Sequence, residues 1–324
     1  MKYNKILLEE ALRLKTEKGL TWEAVADYVK ERYGILATGS AIRKATAAHQ
    51  RLQDRLDEGK ESDFFVPFVK DYDDFIKLPY QDSMVISDVH LPFYNHDLAN
   101  KMLRIARKFG ITRLNIIGDL FDAKAHSKFP TANDMSQDDA QYEIDSIREF
   151  LVTCAKQFDD IYITTGNHEA RILNRLERKF MFKTLLRSAI TEAELGGTMI
   201  HVTDYPRLFT DGISQPGTWM GHPKSYSIVK TNVPRDLCTK FQSNIITGHS
   251  HHLVVTSHIS GQYYIAESGC LADPKKQEYL AMDFAKNPEW HPGFLMIRNE
   301  KPYIFDGGLL TDWEYWLDTE NDDD

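Results

Sequence analysis

The sequence predicts an α/β domain of the α+β kind, preceded by a small all-α domain. Two observations carry this. Residues 1–51 show helical periodicity with no strand signal. From Met84 onward, short apolar runs alternate with helical segments, and beyond residue 245 the chain turns to strands.

In the first helix Ile6, Leu7, Ala11 and Leu14 form the apolar face, and Gly19 stops it. Thr21 is a fair N-cap for a helix over Trp22–Tyr33. Trp22, Val25, Ala26 and Val29 repeat at i, i+3, i+4, i+7, and Gly34 ends that helix. Thr38-Gly39-Ser40 precedes a third helix, Ala41 to about Leu56, with Ile42 and Ala45 inward. The rhythm resembles a helix-turn-helix module, although the turn from Gly34 to Ser40 exceeds the tight four-residue version. Residues 1–51 hold ten Lys/Arg against six Asp/Glu, a net of +4 in a chain of −9, which leaves −13 for the rest. That asymmetry suits a nucleic-acid foot on an acidic enzyme, and Arg43, Lys44 and Arg51 are the candidate DNA contacts. The alternative is a helical bundle for a homodimer or a protein partner.

Residues 57–82 read as a charged linker, with Phe64, Phe65 and Phe68 as an ordered clip. The main domain spans 83–312. Helices are expected over Asp97–Phe109, Gln141–Gln157 and Glu169 to about Arg187. Strands are expected over Leu253–His258, Gln262–Ile265, Phe294–Arg298 and Pro302–Phe305. A polar insertion between Ala123 and Asp139, with Lys124, His126, Lys128 and Phe129, is a candidate gating loop. Residues 313–324 read as an acidic tail.

Five short motifs close apolar runs: Asp88-Val89-His90, Gly118-Asp119-Leu120-Phe121-Asp122, Gly166-Asn167-His168-Glu169, Gly221-His222 and Gly248-His249-Ser250-His251. Their polar residues therefore sit where strands end, the edge on which α/β proteins gather ligands. Asp88, His90, Asp119, Asn167, His222, His249 and His251 form a ligand set for two divalent cations. Two such cations, about 3.5–4 Å apart, can hold the attacking and leaving oxygens of a phosphoryl transfer. A carboxylate must bridge them against mutual repulsion, and Asp119 is the candidate. The four histidines favour Mn over Mg, with Fe, Zn, Co or Ni as alternatives, and the lack of thiolates argues against a structural Zn site. Asp122 is read as orienting a ligand histidine, and Arg171 as either a phosphate contact or an ordinary solvated residue. His252 is expected at the surface or just behind the ligands, and His96 and His126 carry no assigned role.

No stretch approaches 18 apolar residues, so no transmembrane helix is expected. The N-terminus lacks a secretory apolar segment, and Cys154, Cys238 and Cys270 read as free thiols in a reducing, cytoplasmic setting. Hydrophobic content of 42% and aromatic content of 11% are ample for a core. P-loop, G-x-S-x-G and dinucleotide fingerprints are missing.

The order D-x-H, G-D-x-x-D, G-N-H-E, G-H, G-H-x-H over residues 88–251 resembles the calcineurin-like metallophosphoesterase superfamily. The resemblance implies two stacked mixed sheets flanked by helices, with metals at the strand ends. It assigns Asp88, His90, Asp119 and His251 to one metal, and Asp119, Asn167, His222 and His249 to the other. His168 then matches the catalytic histidine beside the leaving group. Phosphoprotein phosphatases of the superfamily carry Arg after the second Asp of G-D-x-x-D. Here Ala123-Lys124 follows instead, which counts against that role, while Gly-Asp-Leu-Phe-Asp is similar to a nuclease branch. The expected activity is hydrolysis of a phosphoester by metal-held hydroxide, with His168 as general acid. With the basic module, the favoured substrate is DNA, cut by a nuclease or DNA-end-processing phosphodiesterase. The alternatives are an enzyme on nucleotides or small phosphoesters, and a DNA-binding regulator with a structural metal site. The layout also fits a phage protein.

Overall fold

The computed structural model describes residues 3, 5–57, 75–124, 137–175, 182–277, 280 and 289–317. The chain divides into two compact units, Met1–Asp73 and Asp74–Asp324.

In the first unit, α1 (Lys5–Thr16), α2 (Trp22–Tyr33) and α3 (Gly39–Asp57) share one small core. The Thr21 hydroxyl accepts from the Ala24 amide at 3.2 Å, and Gly34, left-handed, closes α2 onto the Lys30 carbonyl. Helix α3 starts two residues before the expected point, because Thr38 caps it by accepting from the Ala41 amide. The turn therefore shortens to residues 34–38. Val25, Ala26, Val29 and Ile42 are buried as expected. The face of α1 differs: Ile6 is 68% exposed, and Leu8 is buried beside Leu7, Ala11 and Leu14. Both sets have helical spacing, so periodicity alone could not choose between them. The Tyr28 and Tyr33 hydroxyls both donate to the Glu10 carboxylate and tie α2 to α1.

The second unit is built from two six-stranded mixed sheets. The strands are β1 (Ile76–Leu78), β2 (Ser83–Ile86), β3 (Arg113–Ile117), β4 (Asp160–Thr164), β5 (Met199–Thr203) and β6 (Arg207–Thr210). They continue as β7 (Thr218–Gly221), β8 (Asn244–Thr247), β9 (Leu253–Ser257), β10 (Tyr264–Ser268), β11 (Gly293–Arg298) and β12 (Lys301–Asp306). One sheet runs β12-β11-β2-β3-β4-β5, the other β1-β6-β7-β8-β10-β9. Strands β2 to β5 are mutually parallel, as are β7, β8 and β10.

Alternation along the strands sets the layers. Met84, Ile86, Leu114, Ile116, Ile161 and Ile163 pack against α4 (His96–Lys108), α5 (Gln137–Ala155) and α7 (Phe182–Ala189). Val85, Ile117 and Tyr162 face Leu208, Met220, Ile246 and Ala266 of the other sheet. Beyond that sheet, Ile245 and Ile265 meet α8 (Asn232–Phe241) through Cys238. The result is two mixed sheets flanked by helices.

Several boundaries depart from expectation. The helix expected over Glu169–Arg187 is two, α6 (Asn167–Arg175) and α7, with 176–181 outside the described residues. Strand β1 falls inside the expected linker and pairs in parallel with β6. Three residues interrupted by Lys77 leave little strand signal. Strands β5 and β6 were not expected either. The proposed Phe64, Phe65 and Phe68 clip lies outside the described residues, as does the insertion apart from its ends. The first five residues of the expected tail form α9 (Trp313–Leu317), whose Trp313 and Trp316 rings pack on Phe305, and 318–324 lie outside the described residues. Among the described residues, no helix is long and apolar enough to cross a membrane.

The two leucine-class positions of α1 give a direct test of its face. Leu7→Ala should destabilise the helical unit by about 2–5 kcal/mol. Ile6→Ala should stay within about 0.5 kcal/mol of the parent in denaturant unfolding.

Candidate metal centre

Because β2, β3 and β4 are parallel, their C-terminal ends deliver Asp88, His90, Asp119 and Asn167 to one edge. The parallel pair β7 and β8 delivers His222, His249 and His251. The two sets meet across the sheets. His222 Nε2 lies 3.2 Å from Asp119 Oδ2, and His251 Nε2 lies 2.9 Å from Asp88 Oδ1.

The backbone there is contorted. Asp88, His90, Asp119, His249 and His251 all have φ between 50° and 80°. Such left-handed conformations in non-glycine residues cost roughly 1–3 kcal/mol each and cluster at functional sites. Two motif glycines leave the necessary room. A Cβ on Gly166 would sit 2.1 Å from Asp119 Oδ1, and one on Gly118, at φ 92°, would sit 2.6 Å from the His222 ring.

One group of ligand atoms is Asp88 Oδ1, His90 Nε2 and His251 Nε2. His90 Nε2 is 3.3 Å from His251 Nε2 and 3.9 Å from Asp88 Oδ1. His90 Nδ1 donates to Asp122 Oδ1 at 2.9 Å, which leaves a lone pair on Nε2. Asp88 Oδ1 is buried with no hydrogen-bond partner. The second group is Asp119, His222 and His249, and a further set, His90, Asp122 and His168, shares His90 with the first. His222 Nδ1 donates to the Ile117 carbonyl at 3.1 Å, so Nε2 faces Asp119 Oδ2 and, at 3.0 Å, Asn167 Oδ1. Both groups are buried clusters of oxygens and imidazole nitrogens with no fixed donor among them. Such an environment suits a cation, and its N/O donors suit borderline divalent metals.

Without a cation, protons must take its place. Burial alone would depress the His222 imidazole, but Asp119 and Asp88 outweigh it and hold it at about 10. Burial likewise opposes ionisation of Asp88 and Asp119, yet the facing histidines keep both carboxyls below the usual range.

The structure places Asp122 behind His90, as expected. Asp122 also receives His168 Nδ1 on its backbone carbonyl. His168 stands beside both groups, its Nε2 3.7 Å from Asp119 Oδ2 and its amide donating to Asp119 Oδ1 at 2.8 Å. Burial pushes its imidazole down to about 4. Arg171 Nη1 lies 3.2 Å from His168 Nδ1, and the residue is half-buried. His252 is not at the surface: it is buried, with Nδ1 3.4 Å from Glu267 Oε1. His96 opens α4 and packs on Tyr94, outside the two groups, and His126 lies outside the described residues. Arg43, Lys44 and Arg51 are exposed on α3 of the other unit.

Three residues were missed. The buried Glu169 carboxylate accepts amides of Asp119, Leu120 and Gly166 at 2.7–3.1 Å, stapling the loops after β3 and β4. Burial and the neighbouring Asp119 push it up to about 7. Its place within Gly-Asn-His-Glu was the available signal. Glu267 on β10 accepts the Ser250 hydroxyl at 2.6 Å and the Thr231 amide at 2.7 Å. Trp290 walls the first group, its ring 4.0 Å from that of His251 and stacked at 6.5 Å on His90. Neither carried any sequence signal.

No protein-family profile and no curated protein matches the chain. Solved structures similar to it include Yfce, a phosphoesterase from E. coli, at 14% identity and TM-score 0.35, covering 68% of this chain and 89% of the other. Vps29 of Chaetomium thermophilum is 11% identical with TM-score 0.36, covering 69% and 88%. Vps29 of Entamoeba histolytica complexed with Zn2+ is 12% identical with TM-score 0.35, covering 70% and 99%.

Metal uptake should displace the His222 proton. Because that imidazole stays protonated below about 10, affinity should rise with pH from 6 to 9. Titration calorimetry in buffers of different ionisation enthalpy should register proton release, and an uptake independent of pH would remove His222 from the ligands. Asp119→Asn should lose both ions by elemental analysis, whereas Asp122→Ala should weaken affinity by about 10–100-fold.

Proposed function

We propose that the chain is a dinuclear-metal-dependent phosphoesterase acting on DNA, as a nuclease or an end-processing phosphodiesterase. One observation carries the hydrolytic reading. Side chains from five strand ends converge, with Asp119 facing His222 and the amide of His168, and Asn167 also facing His222. Asp88, His90, Asp119 and His251 would hold one cation, and Asp119, Asn167, His222 and His249 the other. Bound there, divalent ions such as Mn2+ lower the pKa of water and neutralise charge on phosphoryl oxygens.

The chain's own groups do the rest. Asp122 fixes the His90 tautomer so that Nε2 faces inward. His168 is held by Nδ1 on the Asp122 carbonyl, which leaves Nε2 as the nitrogen that exchanges a proton with substrate. It rests neutral because burial holds it at about 4. A phosphoryl group beside it adds negative charge, the direction that raises an imidazole pKa. Substrate binding thus makes Nε2 basic enough to take a proton from solvent water, the proton that it gives to the leaving oxygen. Arg171, packed on His168, adds positive charge on the same side. The case for DNA rests on the exposed Arg43, Lys44 and Arg51 of α3 and on the positive balance of that unit.

His168→Asn should cut turnover by roughly 10²–10⁴-fold while both ions stay bound. A p-nitrophenyl ester should suffer less, since its leaving group needs little protonation. Loss of an ion in that variant would make His168 a ligand. In the full chain, Arg43→Ala with Lys44→Ala and Arg51→Ala should weaken duplex DNA binding. Each lost phosphate contact should flatten the log K against log salt slope by about 0.9. An unchanged affinity and slope would sink the DNA reading.

A further inference from the structure

The loop that leaves the metal ligand His222 and enters α8 is built unlike its surroundings. Tyr226, Ile228 and Val229 are 60%, 75% and 56% exposed. Large apolar groups exposed side by side are the kind of patch that marks a binding surface. Here they adjoin the second group of ligand atoms, because the Tyr226 ring stands 6.1 Å from the His249 ring, edge to face.

The loop is also held in place. At one end the His222 amide donates to the Pro206 carbonyl at 2.7 Å. At the other, the Thr231 amide is fixed on the buried Glu267 carboxylate. Between them the Ser227 hydroxyl accepts from the Val229 amide at 3.0 Å and from Asn232 Nδ2 at 3.1 Å. This inner scaffold turns the side chains on either side of Ser227 outward. A platform fixed in this way loses little freedom when something lies on it. Lys224 is exposed two residues before Tyr226, and Lys230 reaches to 3.4 Å from His291 Nδ1. The loop therefore offers a free aromatic face between two cations, next to a site suited to phosphate.

We propose that Tyr226 stacks on the base of a nucleotide whose phosphate sits at the metal centre, so that the preferred substrates carry an unpaired nucleobase. The proposal rests on the phosphoesterase reading above and names the part of the substrate that reading leaves open. A base inside a duplex keeps its faces covered by neighbouring bases, whereas a single-stranded or terminal nucleotide exposes one. Ile228 and Val229 offer the sugar an apolar floor, and Lys224 and Lys230 favour the adjoining phosphates. Tyr226 is a specificity-determining residue, since only the base distinguishes what it binds.

The test is calorimetric binding of thymidine 5′-monophosphate and of 2-deoxyribose 5-phosphate to the full chain loaded with Mn2+. The two share phosphate and sugar and differ in the base. Stacking should make the nucleotide about 5–150-fold tighter. Tyr226→Ala should bring its Kd to that of the sugar phosphate, and Tyr226→Phe should keep the difference. Equal affinities in the parent protein, or an advantage that survives Tyr226→Ala, overturn the proposal while leaving the phosphate site intact. If neither compound binds, the phosphoesterase reading falls and the proposal with it.

Discussion

The position of the Asp119 carboxylate governs the site, and Glu169 sets that position. Glu169 gathers amides from the loops after β3 and β4, and Gly166 lets the second loop press against Asp119. The His168 amide then donates to Asp119 Oδ1, leaving Oδ2 to face His222 of the other sheet. Burial first, and then repulsion by the nearby Asp119 carboxylate, raise Glu169 to about 7. Backbone donors answer the charge of Glu169. For Asp119 the answer is a cation or a shared proton. The loops therefore cannot relax without exposing an unpaired buried charge, which is more costly than the strain in their left-handed residues.

The site was more legible in the sequence than the fold around it. The five motifs each put polar residues after a run of apolar β-formers, a pattern that survives burial because these strands are covered on both faces, by helices on one and by the other sheet on the other. Asp88, His90, Asp119, Asn167, His222, His249 and His251 accordingly come together. What one sequence conceals is the crooked backbone between them, since Asp and His carry no mark of positive φ comparable to glycine. The same limit explains His252. Expected at the surface or just behind the ligands, it is buried beside Glu267, because the chain turns before β9 begins. Short edge strands such as β1 owe their conformation to a partner, here β6, and little to their own residues. In α1, Ile6 and Leu8 trade places because the choice depends on where α2 and α3 sit.

Charge divides the molecule by function. The main unit with its linker sums to −13, an unfavourable background for any phosphate. Attraction must then be local. Arg171 beside His168, and Lys224 and Lys230 on the loop before α8, are positive side chains near the candidate ligands. Arg43, Lys44 and Arg51 place exposed positive charge on the helical unit. Charge arranged in this way favours anions that can reach a particular spot and discourages polyanions from spreading over the rest of the acidic surface.

His90 and His251 lie 3.3 Å apart in space and 161 residues apart along the chain. No local folding event can bring them together. During synthesis at about 5–20 residues per second, roughly 8–30 s pass between their appearances on the ribosome. Through that interval the nascent chain carries Asp88, His90 and Asp119 as a half-built pocket with its carboxylates uncovered. The first sheet can pair its parallel strands before β8 exists, but its metal edge stays open to water. A cation that needs ligands from both sheets would thus find its full set only after the loop after β8 has emerged.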